Sequence, residues 1–128
     1  MSDHLDPGAL LARYYPLPRG PRVCLRLVRP RDQEGIRGLL RAHGSEPDEL
    51  EMARLVGFDL RRRLVLCATA LVDSAETVLG VGAIEFGAGA SAEPTFVVVD
   101  ERRTEGLDSL LRDALTGHAA ALERARAA

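Results

Sequence analysis

Few residues in this chain could act as a nucleophile, a base or a metal ligand. Cys24 and Cys67 are the only thiols, and each lies inside an apolar run. In that setting they read as reduced, buried core thiols, and two cysteines fall short of a Cys-type zinc site, so no metal is expected. His43 and His118 sit on or beside apolar helical faces, where packing or exposure explains them better than ligation. Arg61, Arg62 and Arg63 form a basic run that could meet an adenosine phosphate or an acidic partner, but a solvated turn between helix and strand accounts for it more simply. Tyr14 and Tyr15 stand beside prolines and read as anchors of an arm, with a place over a cleft as the alternative. All 17 basic residues are Arg, and neither Lys nor Asn occurs anywhere. Schiff-base catalysis, a P-loop lysine, N-glycosylation and a Cys-His-Asn hydrolase arrangement are therefore excluded. With Ala, Gly and Leu abundant, the composition is that of a GC-rich genome and points to a bacterial source.

At 128 residues and 46% apolar, the chain has the material for one domain with a real core. A net charge of -2 gives no overall basic footprint for nucleic acid or an anionic membrane. No stretch approaches the roughly 18 apolar residues of a spanning helix. The start Met1-Ser2-Asp3-His4 lacks the basic-then-apolar pattern of a secretory signal, so a cytoplasmic location is expected.

The positioning elements follow from periodicity. Residues 1–21 hold four of the seven prolines and form an arm, with a short helical stripe over Leu10, Leu11 and Tyr14 and a rigid extended connector after it. Residues 22–128 form the domain proper. Val23 to Val28 alternates as a strand. Asp32 caps a helix carrying Ile36, Leu39 and Leu40 and ending at Gly44, and Ser45 opens a second helix with Pro47 in its first turn, running to about Val56. Leu64 to Val72 reads as a strand covered on both faces, Asp73 to Glu76 as a turn, and Thr77 to Phe86 as a strand in which Gly80 and Gly82 signal a bulge or a close approach. The small-residue loop 87–92 is a connector or a gate. Glu93 to Asp100 is the last strand, and its run Phe96 to Val99 has the composition of a central strand. Leu107, Leu110, Leu111, Leu115 and Leu122 then follow a helical period. The order strand, helix, helix, strand, strand, strand, helix predicts an α/β chain of the α+β kind, with a mostly antiparallel sheet of about four strands and flanking helices.

This order, together with the stretches VCLRLVRPRDQEGIRGLL, ELEMARLVGFDLRRRLVLCATAL and AEPTFVVVDERRTEGLDSLLRDAL, resembles the GNAT superfamily of acyl-CoA-dependent N-acetyltransferases. Within it, the likeness is to bacterial protein-lysine acetyltransferase domains. In that family a central strand ends at a turn of pattern Gln/Arg-x-x-Gly-x-Gly/Ala that opens a helix and holds the cofactor pyrophosphate on backbone N–H groups, as helix N-termini generally can. The resemblance implies that Arg103, Thr104, Gly106 and Asp108 occupy this acetyl-CoA-binding turn, with Asp108 at the final Gly/Ala position. It places the Val98 and Val99 backbone along the pantetheine arm. It casts Glu93 as the general base on an attacking amine, a role that needs a carboxylate held beside that amine.

The departures from the family pattern carry an expectation of their own. Asp108 sets a carboxylate where the family keeps a tiny residue, which at about 5 Å and an effective dielectric near 20 is about 3 kcal/mol of repulsion against a pyrophosphate. Asp100, Glu101, Glu105 and Asp108 outnumber Arg102 and Arg103, and Thr104 replaces the usual glycine. The family also continues past this helix with further strands that form the other wall of the cleft, whereas this sequence ends at Ala128. The expected function is a truncated, degenerate GNAT-like pseudoenzyme with acetyl-CoA or no cofactor, acting as an interaction or regulatory module. The alternative is an active acetyltransferase completed by a second chain. A homodimer, or a protein partner covering the last strand, is expected, with the N-terminal arm folding back over that strand as the fallback.

Overall fold

Unbroken apolar runs in the middle strands, such as Leu64 to Ala68, require cover on two faces, and the architecture supplies it. A computed structural model describes residues 13–18, 20–57, 61–86, 93–102 and 104–127. The elements in order are β1 (Arg13–Tyr15), β2 (Val23–Leu27), a 3-10 turn (Pro30–Asp32), α1 (Gln33–Ala42), α2 (Glu49–Val56), β3 (Arg63–Val72), β4 (Ala75–Glu85), β5 (Phe96–Val99) and α3 (Leu107–Ala127). The five strands form one antiparallel sheet in the order β1-β2-β3-β4-β5. The α+β class is as expected, with one strand more than the sequence suggested.

The added strand is β1. Tyr14 was expected in a helical stripe, but Tyr14 pairs with Cys24 and Tyr15 with Val23 along the β2 edge. Prolines at 16, 18 and 21 hold the connector extended, and Arg22 lies over the Tyr14 ring at 5.6 Å. The expected stripe at Leu10 and Leu11 lies outside the described residues. Of the arm, Arg13–Tyr15 pairs at the sheet edge opposite β5, so these residues do not cover the last strand.

Period-2 alternation sorts the side chains into two cores. Leu64, Leu66, Ala68 and Ala70 of β3 pack with Val23, Leu25, Leu79 and Ile84 under α3, which inserts Leu107, Leu111, Leu115 and Ala119. Val65, Cys67, Val81 and Ala83 point the other way, against Ile36 and Leu39 of α1 and Met52 and Leu55 of α2. Gly80 and Gly82 lie directly beneath α3. A Cβ on Gly80 would stand 2.9 Å from Leu111 Cδ1, and one on Gly82 2.8 Å from Leu115 Cδ1. These glycines bring helix and sheet close together. A register shift between Ala68 and Thr69 adds the bulge beside Gly80.

Local chemistry moved several boundaries. Asp48, not Ser45, caps α2: its carboxylate accepts from Glu51 N at 2.8 Å, the Glu51 carboxylate accepts from Asp48 N at 3.4 Å, and Pro47 is left before the helix. The β3–β4 hairpin turns in two residues, Asp73 (φ 53°) and Ser74 (φ 68°), so β4 begins at Ala75 and takes in Glu76 and Thr77. β5 is four residues long and pairs, among the described residues, with β4 alone. Its apolar run reflects helices above and below it, since Val97 and Val99 meet the α3 core while Phe96 and Val98 meet the α1–α2 core. Among the described residues it is an edge strand.

Candidate functional site

The turn from β5 into α3 contains most of the residues singled out above. Val99 is buried, and Val98 is half-buried on the α1–α2 face. Thr104 is 3% exposed because its hydroxyl donates to the carbonyl of Asp100, which draws the turn inward. The Thr104 carbonyl in turn accepts from Leu107 N at 3.0 Å. Gly106 has φ +90°, and a Cβ there would stand 3.2 Å from Pro18 Cδ, so this glycine answers both a left-handed conformation and a close approach. Asp108 lies in the first turn of α3, exposed, with its carboxylate oxygens each 3.2 Å from Arg112 Nε. This ion pair and exposure to water leave less repulsion toward an anion than the sequence estimate. Arg103 lies outside the described residues. Glu93 is exposed, three residues before β5 begins.

Two concavities flank β5 on the α1–α2 side. A cleft of about 680 Å³ lies between α1, the start of β4 and the Asp100–Arg102 turn, floored by Gly35, Gly38 and Leu39 and rimmed by Arg31, Glu76 and Asp100. A groove of about 440 Å³ runs along the strand between Phe96 and Val98 on one side and Leu40 and Leu55 on the other, with Arg54 and Arg63 at its polar rim. Glu93 borders neither. His43 borders both, with Nδ1 3.0 Å from the Leu39 carbonyl.

No family model, curated protein or solved structure matches this chain.

Beneath the cleft lies a polar cluster that pattern reading missed. Arg26, in the middle of β2, is 3% exposed and donates from Nη1 (2.7 Å) and Nη2 (2.8 Å) to the two oxygens of Asp32, itself 5% exposed. Asp32 Oδ2 also accepts from Arg29 N at 2.7 Å and from Cys67 Sγ at 3.7 Å. Glu76 Oε2 receives Arg26 Nη2 at 3.2 Å and Thr69 Oγ1 at 3.1 Å, and Arg31 reaches Oε1 at 3.4 Å. Burial pushes the Asp32 carboxyl up, but the hydrogen bonds from Arg26 and Arg29 outweigh it and hold the carboxyl below its ordinary value. The bond to Asp32 raises the Arg26 pKa against the pull of burial. Its Nε has no partner. The signal in the sequence was an Arg flanked by Leu25 and Leu27 with an acid six residues on.

This cluster is structural in character, because its charges are used on one another. Burial, partly opposed by Arg26, pushes the Cys67 thiol up to about 12, so almost no thiolate exists near neutrality. Iodoacetamide at pH 8 is therefore expected to leave Cys67 unmodified in the native chain and to label it on unfolding; rapid native labelling, read residue by residue by mass spectrometry, would contradict this. On α3, burial and then the charge of Arg13 lower the pKa of half-buried His118, which favours a neutral, packed imidazole. Among the described residues no group of three or more His, Cys, Asp or Glu is arranged to hold a metal ion, and no helix is long and apolar enough to cross a membrane.

Proposed function

We propose that this chain is a GNAT-like domain whose acyl-CoA turn is degenerate, and that it works as a protein-interaction module through the β5 edge. The element order supports the kinship, since two helices follow β2, three antiparallel strands come next, and the last leads through a tight turn into a helix packed on the opposite face. The observation that carries the functional reading is the inside of that turn. Where a pyrophosphate would need open backbone amides and little negative charge, the Thr104 side chain and carbonyl bond within the turn, Pro18 packs against Gly106, and Asp108 stands in the first helical turn. The four acids and two arginines between residues 100 and 108 leave a formal charge of -2 there.

Removing that charge tests the reading. Asp108→Gly should tighten acetyl-CoA binding by about tenfold, equivalent to about 1.4 kcal/mol. Adding Glu105→Gln should take it further, and both gains should be larger at low salt, where charges are less screened. Titration calorimetry at two ionic strengths measures this. Unchanged binding in both variants would show that the acidic turn is not what discriminates against the cofactor.

A further inference from the structure

The β5 edge has properties that select its occupant. Asp100 N donates to the Leu79 carbonyl at 2.8 Å, and Val98 lies opposite Val81. In an antiparallel ladder, bonded pairs alternate with non-bonded ones. Val98 and Phe96 therefore spend their backbone groups on β4, and the N–H and C=O of Val97 and Val99 point to the outer edge. Phe96 to Val99 contains no charge, proline or lysine of the kind that commonly guards an edge against pairing. Beside it, Phe96 and Val98 stay half-buried at the wall of the groove formed with Leu40 and Leu55.

Acids stand at one end of this edge, and two arginines line the groove at the other, where Glu51 also lines it and Arg63 is paired with Glu85. Asp100 and Glu101 lie at its C-terminal end. Arg54 lines the groove from α2, and Arg63 lies at the start of β3, opposite Glu85 of β4, next to the N-terminal end of β5. Arg63 Nε donates to Glu85 at 2.6 Å, while Arg54 is exposed. An antiparallel neighbour that repeats the β5 sequence would bring its acidic end to these arginines, and a two-fold axis would do so twice.

Resting on the reading of β5 as an interaction edge, we propose that its partner is a second copy of this chain, paired β5 to β5 in antiparallel fashion about a two-fold axis at Val98. Residues opposite one another across a sheet share a face. Val98 therefore meets the partner's Val98 on the α1–α2 side, and Val97 meets the partner's Val99, which joins the outward N–H and C=O groups of both strands. Phe96 lies opposite the partner's Asp100, so that carboxylate arrives on the face where Arg54 and Arg63 sit. The sheet becomes continuous across ten strands. A pairing of four residues a side is a small interface, which places the dimer among weak, reversible ones.

Light scattering over a concentration series from micromolar to millimolar protein should show the mass rising from 13.8 kDa toward twice that value. Val98→Cys should form a disulfide-linked dimer under mild oxidation, because Cβ atoms of a non-bonded cross-strand pair lie within disulfide reach. Val97→Cys, which faces Val99 instead, should not. Arg54→Glu and Asp100→Arg should each weaken self-association at least tenfold, and the double variant should recover it. Circular dichroism confirms that each variant is folded, and the Arg54→Glu result stands even if a cysteine variant does not fold. A monomer at every concentration, or equal cross-linking at Val97 and Val98, would overturn the proposal. The acyl-CoA reading is decided separately, by calorimetry on the same preparation.

Discussion

Asp32→Ala is expected to lower stability by about 3 to 5 kcal/mol, because it strands a buried guanidinium. Arg26 is 3% exposed and already has an unpartnered Nε, so losing both Asp32 oxygens leaves it with the half-exposed Glu76 carboxylate and its own neighbour's carbonyl. Arg29 N and Cys67 lose their acceptor as well. Replacing both charges, as in Arg26→Met with Asp32→Ala, should recover much of that loss, since the larger penalty comes from the orphaned charge rather than from the missing pair. Urea denaturation of the two single variants and the double variant measures the coupling, and additive effects would refute it. The same pair gives a pH dependence. The Asp32 carboxyl titrates lower in the folded chain than its ordinary 3.8, so its contribution is fully present above that value and is lost as the pH falls through the depressed folded pKa.

Leu111→Ala or Leu115→Ala should cost about 2 to 5 kcal/mol by leaving a cavity between α3 and the sheet. Both side chains are fully buried, and their methyls occupy the space above Gly80 and Gly82. Arg112 is exposed and, among the described residues, pairs with Asp108 one turn away, so Arg112→Ala should change stability by less than about 0.5 kcal/mol. Chemical denaturation that ranked Arg112 above either leucine would contradict the packing of this helix.

What could be read in advance follows from what periodicity measures. Leu107, Leu111 and Leu115 recur at helical spacing and form the buried stripe of α3, with Arg112 outward. Gly80 and Gly82, two gaps in an apolar strand, marked where that helix comes close. Tyr14 was misread because three strand residues between an apolar stripe and three prolines carry no alternation of their own; they are a strand because β2 offers an edge. The alternation of Val23, Leu25 and Leu27 with Cys24, Arg26 and Val28 predicts one drier face and one wetter face, but a sheet with helices on both faces leaves Arg26 no wet side, and its charge is buried with a partner. The run Phe96 to Val99 shows cover above and below the strand. Whether another strand lies beside it is a separate question that composition does not address. That a polar turn joins the last strand to the last helix was legible, while the closure of the turn by Thr104 and Pro18 depended on contacts that spacing cannot encode.

Calorimetric titration of the unmodified chain with acetyl-CoA tests the central claim most directly. The account predicts no saturable binding in the micromolar range and no acetylation of an amine acceptor. Micromolar binding with turnover, lowered by Glu93→Gln while binding persists, would contradict it and establish the chain as an acetyltransferase with Glu93 as its base.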